Sequence, residues 1–213
     1  MNLPSSPPAV LVMTRWWAEG PVKTRLAADL GQDQAREIYR QMVEHLWQGL
    51  ESTELQRLLC VSPAQKLEEA SNWLAGADVV LAQPEGDLGA RMNHLMHHAL
   101  LELQIPWVAV IGTDAPAIDA AWVLKAGQHL HDHDVVITPS LDGGYALLAC
   151  AQSHAELFAD IPWSTSEVLA VTQQRALKAG LKVFLTEPVR DLDDIHDLHA
   201  LQKAGWLRES ASE

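Results

Sequence analysis

Asp114 is the carboxylate whose place in the sequence most clearly suggests chemistry. Residues 107–111 form an apolar run typical of a buried strand, and the segment 112–116, Gly-Thr-Asp-Ala-Pro, follows directly. Ligands of open α/β sheets bind beyond the carboxyl ends of the strands, and Mg²⁺ takes one or two carboxylates while keeping other positions for water and phosphate. The pattern predicts Asp114 as a metal ligand, held in place by Pro116. The alternative is an aspartate that caps its own turn.

A second acidic segment near the C-terminus offers further oxygen ligands. Asp191 and Asp193 stand two residues apart, so both side chains point the same way if the segment is extended. With Asp114 they would complete a site of hard oxygen donors. The alternative is that Asp193 or Asp194 is the N-cap of the helix that follows.

A cationic loop follows the first apolar run. Arg15, Lys23 and Arg25 face a single acid in this stretch, Glu19, and Gly20 precedes the lysine by three positions. Cations and exposed backbone amides after a strand suit phosphate groups. The loop lacks the glycine directly before lysine that a Walker A loop requires, and no GxGxxG fingerprint follows the strand. The alternative is a solvated basic loop that leads into a helix.

Glycine-rich turns follow two further strands. In the first turn, Gly86 and Gly89 would permit close approach of a flat ligand whose base edge Gln83 could contact. The alternative for this turn is a strand-to-helix connection with Asp87 as the N-cap.

The second turn has the sequence Asp142-Gly143-Gly144-Tyr145, which is first of all a hairpin signal. Its functional interpretation is a glycine platform beside a sugar or acceptor, with Tyr145 packed on that ligand. Further along, Ser164 and Glu167 fit a capping box, which predicts a helix that begins at Ser164. The alternative for Ser164 is an anion site at the helix N-terminus.

The elements that must position these residues alternate between short apolar runs and longer amphipathic segments. The predicted strands are 9–13, 55–61, 78–83, 107–112, 135–139, 145–150 and 182–185. The predicted helices are 32–50, 64–74, 88–103, 119–130, 164–179 and 194–204. This alternation predicts an α/β fold with a mainly parallel sheet covered on both faces. The length of 213 residues suits a single domain, 1–213, with a core of about 9–204.

Composition excludes several classes of partner. The net charge of −13 repels phosphate backbones and anionic lipid headgroups, so neither nucleic acid nor a membrane is an expected partner. The N-terminus shows no signal-peptide pattern, and no apolar stretch approaches the roughly 20 residues that span a bilayer. We therefore expect a cytoplasmic protein whose ligands are small molecules.

Taken together, the motifs resemble a known set. Six occur in order: G-x-V-K-T-R-L, Q-x-E-G-D-L-G-x-R-M, G-T-D-A-P, D-G-G-Y, W-S-T-S-x-V and D-x-D-D-x-x-D-L. This order resembles a bacterial family described as glycosyltransferase-A-like or nucleotide-diphospho-sugar transferase-like, sometimes as selenodomain-associated transferases. The resemblance runs from about residue 9 to residue 201. The wider superfamily includes molybdenum-cofactor and phospholactate guanylyltransferases, sugar-nucleotide pyrophosphorylases and glycosyltransferases.

The resemblance implies a three-layer α/β/α sandwich of the glycosyltransferase-A type and a requirement for Mg²⁺ or Mn²⁺. It makes Asp114 the principal metal ligand and Asp191 and Asp193 the acidic pair that completes the site. Lys23 and Arg25 match phosphate contacts of the family.

The resemblance also assigns the nucleotide site to the first loop and to the turn at 83–91. Relatives commonly have Lys-x-Pro where this chain has Arg15 followed by two tryptophans.

Three functions follow from this reading. The first is glycosyl transfer from a nucleotide-sugar donor to a small-molecule acceptor. The second is nucleotidyl transfer to a phosphorylated small molecule, which the cationic loop favours. The third, of a different class, is a catalytically silent module that senses nucleotides.

Overall fold

The apolar runs of the sequence form the strands of a seven-stranded sheet. The computed structural model describes residues 6–206. In chain order the strands are β1 (Ala9–Arg15), β2 (Gln56–Ser62), β3 (Val79–Ala82), β4 (Val108–Ile111), β5 (Val135–Pro139), β6 (Tyr145–Cys150) and β7 (Val183–Leu185). Each predicted strand is therefore present, with bounds shifted by a few residues at most.

The spatial order of the strands is β3-β2-β1-β4-β6-β5-β7. Strand β6 is antiparallel to both of its neighbours, β4 and β5, and every other pair is parallel. The reversal follows from the turn at Asp142-Gly143-Gly144, which joins β5 to β6 as a hairpin, as its sequence predicts. The sheet is mainly parallel, in agreement with the predicted fold class.

The amphipathic segments form helices between the strands. They are α1 (Thr24–Leu30), α2 (Gln32–Gly49), α3 (Leu67–Trp73), α4 (Leu88–His97), α5 (Ala120–Gln128), α6 (Val168–Lys178) and α7 (Ile195–Lys203). Two N-caps that the sequence offered as alternatives are present, because the side chain of Asp87 accepts a hydrogen bond from Ala90 N, and that of Asp194, rather than Asp193, accepts from His196 N and Asp197 N.

Helices cover both faces of the sheet. In β1, Val10 and Val12 contribute to one buried cluster and Ala9 and Leu11 to the other, because successive side chains of a strand point to opposite faces. Helices α1, α2, α3, α5 and α7 pack on the first face, and α4 and α6 on the second. The result is the expected three-layer α/β/α arrangement.

The predicted start of α6 is wrong. Ser164 does not cap this helix: α6 begins at Val168, its N-cap is Glu167, and no side chain caps it. Ser164 instead has φ = 64°, in the left-handed region. The local turn is stabilised by Thr165, whose Oγ1 donates to the Pro162 carbonyl and accepts from Glu167 N. A capping-box pattern therefore occurs here in a loop.

Among residues 6–206, no helix is both long enough and apolar enough to cross a membrane.

Candidate active site

The segment after β7 brings the C-terminal acids to the end of β4. The backbone N–H of Leu192 donates a hydrogen bond of 2.8 Å to the carbonyl of Asp114. The Leu192 side chain is fully buried, while Asp191 and Asp193 on either side of it line the cavity at this edge of the sheet. Both carboxylates thus lie on the same side of this segment, as their spacing predicts.

Lys23 joins the two acidic segments. Its ammonium nitrogen lies 3.1 Å from Oδ2 of Asp114 and 3.2 Å from Oδ1 of Asp193. Only 10% of the lysine side chain is exposed. Burial acts to lower the pKa of Lys23, but the two carboxylates outweigh burial, and the pKa is raised above its ordinary value. Lys23 is therefore a charged group held between the carboxylates.

The backbone of the cationic loop explains how Lys23 reaches this position. Lys23 has φ = 46° and ψ = 56°, a left-handed conformation, and it is the residue directly before α1. Non-glycine residues adopt this conformation at a cost of about 1–2 kcal/mol. Arg25, two residues further along, places its guanidinium 3.5 Å from Oδ2 of Asp193. The loop thus presents two cations to one carboxylate.

Three carboxylates form a tighter group beside this lysine. Asp142, Asp191 and Asp193 each offer an oxygen, and these oxygens lie within 4.8 Å of one another. Burial raises the pKa of Asp191 to about 7, and the nearby charges of Asp142 and Asp114 act in the same direction. Closely spaced carboxylate oxygens are the donor set that Mg²⁺ and Mn²⁺ prefer. The residues present therefore fit a hard divalent cation, and Asp142 is an acid that the sequence analysis had not assigned to the metal.

Two further residues support Asp114, and the sequence analysis missed both. A Cβ atom at Gly112 would lie 2.7 Å from Oδ1 of Asp114, so the glycine makes room for the carboxylate. The hydroxyl of buried Tyr39 accepts hydrogen bonds from Arg15 N at 3.2 Å and from Thr113 Oγ1 at 3.2 Å, and it donates to the Arg15 carbonyl at 3.3 Å. Tyr39 thereby connects the end of β1 to the residue next to Asp114.

The site has two compartments. The cationic compartment, about 470 Å³, is lined by Arg15, Lys23, Thr24 and Tyr39. The acidic compartment, about 630 Å³, is lined by Asp142, Asp191, Ser140, Tyr145, Trp163 and Ser166, among others. The residues that line both are Arg25, Asp114, Ser164 and Asp193. The carboxylates predicted as metal ligands therefore lie at or beside the boundary between the compartments.

Most of the site residues predicted from sequence lie in these compartments. They are Arg15, Lys23, Arg25, Asp114, Asp142, Gly144, Tyr145, Asp191 and Asp193. Among the residues that line them but were not predicted as site residues, Trp163, Thr165 and Ser166 lie in the motif W-S-T-S, and Ser140 lies two residues before D-G-G-Y. The presence of both motifs in one sequence could therefore have indicated these lining residues, whereas each motif alone predicts only a local turn.

Other predicted binding residues line neither compartment. The amide nitrogen of Gln83 donates to the carbonyls of Thr14, at 3.1 Å, and Cys60, at 2.8 Å, and so links β1 to β2. The remaining four are glycines: Gly20, Gly86, Gly89 and Gly143.

Close protein contacts account for Gly89 and Gly143, and backbone conformation accounts for Gly20 and Gly86. The space beside Gly89 is filled, because a Cβ there would lie 2.8 Å from Cζ2 of Trp163. A Cβ at Gly143 would lie 2.3 Å from the Ser166 carbonyl oxygen. Gly20 and Gly86 have positive φ angles and shape their turns.

Three solved structures have a similar fold. A candidate nucleotide-diphospho-sugar transferase from Desulfovibrio desulfuricans G20 is 30% identical, with a TM-score of 0.86, and the match covers 96% of this chain and 89% of that one. CMP:2-keto-3-deoxy-manno-octonic acid synthetase in complex with CTP is 12% identical, with a TM-score of 0.58 and coverages of 94% and 98%. Inositol-1-phosphate CTP transferase from T. maritima is also 12% identical, with a TM-score of 0.57 and coverages of 97% and 98%.

The last two similarities concern the fold alone. Together with the Desulfovibrio structure they confirm the predicted fold, that of nucleotide-diphospho-sugar transferases. The Desulfovibrio protein is described as a candidate nucleotide-diphospho-sugar transferase, which agrees with the expectation of a transferase.

No curated protein matches the sequence significantly. A family profile does match, over residues 45–165, and its description is "Uncharacterized protein conserved in bacteria (DUF2064)". The profile spans more than half of the chain, and the Desulfovibrio structure matches nearly all of it. This protein belongs to the DUF2064 family and has the nucleotide-diphospho-sugar transferase fold.

Proposed function

We propose that this protein is a metal-dependent transferase that uses a nucleotide-sugar as donor and transfers its glycosyl group to a small-molecule acceptor. The observation that carries the proposal is the position of Lys23, which lies in the cationic compartment and contacts Asp114 and Asp193 at its boundary. A phosphate site and a set of metal ligands thus adjoin at the carboxyl edge of the sheet, where α/β proteins bind their ligands.

The donor's phosphates would occupy the cationic compartment. Arg15, Lys23 and Arg25 line it, and their side chains can donate charge-assisted hydrogen bonds to phosphate oxygens. When the glycosyl bond breaks, negative charge grows on the departing diphosphate, and cations already in place stabilise that charge. This is the catalytic role that we assign to Lys23 and Arg25.

Asp114, Asp191 and Asp193, with Asp142, would hold Mg²⁺ or Mn²⁺. A divalent cation there would neutralise charge on the departing phosphates. The side chains themselves orient the site: Asp114 is supported by Gly112 and by hydrogen bonds that run through Tyr39. The donor's reacting end would lie near Asp114 and Asp193, and the acceptor beyond them in the acidic compartment.

Nucleotidyl transfer to a phosphorylated small molecule is the second candidate. It is favoured by the three cations of the cationic compartment, which suit a triphosphate. The 30% identity to a candidate nucleotide-diphospho-sugar transferase favours glycosyl transfer, whereas the similarity to CTP-using enzymes is one of fold. A nucleotide-sensing module without activity would bind nucleotide but show no metal-dependent turnover.

A thermal-shift screen of nucleoside triphosphates and nucleotide-sugars with Mg²⁺ or Mn²⁺ tests the proposal. A ligand at 100 times its Kd should add about 2.7 kcal/mol to the free energy of unfolding. Turnover assays on the ligands found, with release of nucleoside diphosphate or of pyrophosphate as readout, separate glycosyl from nucleotidyl transfer.

The variant Asp114→Asn makes this test specific. It keeps the shape of the side chain but should lose metal-dependent nucleotide binding and about 10²-fold in activity, or about 3 kcal/mol. Asp29→Asn, an exposed carboxylate of α1 that lines neither compartment, is the control. If Asp114→Asn binds metal and nucleotide as the unmodified protein does, the proposed function is wrong.

A further inference from the structure

We propose that the acidic compartment binds the acceptor and that this acceptor is a neutral, hydroxyl-rich small molecule of the sugar class that carries no phosphate or carboxylate. The inference rests on the proposed function, because it takes the cationic compartment as the place of the donor's phosphates. It goes further by naming the chemical class of the second substrate from the charge and shape of the other compartment.

The charges of the site are divided between the compartments. Arg15 and Lys23 line only the cationic compartment, and Asp142 and Asp191 line only the acidic one. Among the described residues, Arg25 is the one basic side chain in the lining of the acidic compartment, against four aspartates. Lys23 forms ion pairs with two of these aspartates, so Lys23, Arg25 and one divalent cation would together carry four positive charges and only balance the four carboxylates. No cation would remain uncompensated to receive a phosphate or carboxylate of the acceptor, and such a group would lie against the carboxylates of the wall.

The acidic wall is held in place before any ligand arrives. Oδ1 of Asp142 accepts hydrogen bonds from Ser140 Oγ and from Gly144 N, the latter at 2.9 Å. No hydrogen bond to its other oxygen, Oδ2, occurs within residues 6–206, so that oxygen keeps its acceptor capacity. The carboxylate is thus oriented by its own turn, and little conformational freedom is lost when a hydroxyl donates to it.

A second loop is fixed to the first. Gly143 has φ = 93° and approaches the backbone of Ser166 so closely that a side chain would not fit, and its carbonyl accepts from Leu169 N at 3.0 Å. The loop 164–166 is therefore packed against the hairpin turn. Its three hydroxyl side chains, Ser164, Thr165 and Ser166, are exposed and line the compartment.

The remaining wall is aromatic and apolar. Tyr145 and Trp163 line the compartment with ring centroids 6.3 Å apart, and Leu88 and Met92 lie beside them. A sugar ring presents hydroxyls at its edge and C–H groups on its face. Carboxylates can accept hydrogen bonds from the sugar hydroxyls, and serine and threonine hydroxyls can donate or accept them. Aromatic and aliphatic side chains cover the apolar face of the ring. The volume of about 630 Å³ lies within the range of small-molecule sites.

The test compares neutral sugars with their phosphate esters on protein loaded with Mn²⁺ and the best nucleotide from the screen. The probes are glucose, mannose, galactose and myo-inositol, each beside its monophosphate, with binding followed by saturation-transfer NMR and calorimetry. We expect at least one neutral probe to bind at least tenfold more tightly than its phosphate ester. Tighter binding of the esters, or no binding of any neutral probe, would overturn the proposal.

Two variants locate the binding. Ser166→Lys adds a cation to the acidic wall and should shift the preference at least tenfold toward phosphate esters. Thr53→Lys, an exposed position in the loop before β2, should leave the preference unchanged. An equal shift in both variants, or none in Ser166→Lys, contradicts the assignment of this compartment.

Nucleotide binding is measured separately, by thermal shift. Absence of nucleotide binding refutes the proposed function, whereas nucleotide binding together with preferred phosphate esters refutes only the acceptor assignment. The sugar comparison is also made on protein loaded with Mn²⁺ alone. The acceptor assignment is then tested even if no nucleotide binds.

Discussion

The ammonium of Lys23 lies 3.1 Å from Oδ2 of Asp114, although 91 positions separate the two residues in the chain. The same nitrogen lies 3.2 Å from Oδ1 of Asp193, 170 positions away. A divalent cation held by Asp114 and Asp193 would draw on the same two carboxylates as the ammonium. Lys23 and such a cation would therefore compete for these carboxylates.

Lys23→Met should raise the affinity for Mn²⁺ in the absence of nucleotide, because it removes the competing cation from between two carboxylates. The same variant should weaken nucleotide binding, since one charge-assisted contact to phosphate, about 1.5–3 kcal/mol, is lost. Calorimetric titration with Mn²⁺ and with nucleotide measures both effects. Lys66→Met is the control, because Lys66 forms ion pairs with Glu19 and Glu69 away from both compartments. Unchanged Mn²⁺ affinity in Lys23→Met would contradict this competition.

Gly112→Ala should weaken Mn²⁺ binding by about tenfold, or about 1.4 kcal/mol. The added methyl group would lie 2.7 Å from Oδ1 of Asp114 and would displace the carboxylate. Gly49→Ala is the matched control, because its Cβ would meet Asp119 at 3.6 Å, an ordinary contact. Circular dichroism would show that both variants fold. If both bind Mn²⁺ equally well, Gly112 does not position Asp114.

Tyr39→Phe should lower the free energy of unfolding by about 1–3 kcal/mol, because partners of its buried hydroxyl at Arg15 and Thr113 would be left unsatisfied. Tyr145→Phe provides the comparison. The hydroxyl of Tyr145 is buried and has no hydrogen-bond partner among residues 6–206, so its removal should cost little or nothing. Urea unfolding of both variants measures the difference. Equal losses would show that the Tyr39 contacts contribute no net stability.

Ser164→Ala should leave the free energy of unfolding unchanged within about 0.5 kcal/mol. The residue is exposed and does not cap α6. Asp87→Ala, which removes the N-cap of α4, should instead cost about 1 kcal/mol. Thermal or urea unfolding compares the two. A loss in Ser164→Ala as large as that in Asp87→Ala would restore a capping role, whereas reduced ligand binding at constant stability would support a role in the site.

Local patterns in the sequence were enough to predict the elements and the fold class. Strand and helix periods repeat within a few residues, so the apolar run at 107–111 and the amphipathic segment at 32–50 revealed β4 and α2 directly. The N-caps Asp87 and Asp194 depend on backbone groups two or three residues away, and the sequence offered both as alternatives, the second beside Asp193. The placement of Asp114 after a strand end followed in the same way.

The tertiary structure decided which side chains meet. Strand order, the insertion of β6 between β4 and β5, and the path of the chain after β7 leave no periodic trace in the sequence. The contacts of Lys23 with Asp114 and Asp193, and the addition of Asp142 to the acidic group, depend on that order. Tertiary contacts also change local structure near Ser164. Its capping-box pattern predicts a helix start, but its loop packs on Gly143 instead. Contacts between distant segments depend on the whole packed chain, and only the folded chain reveals them.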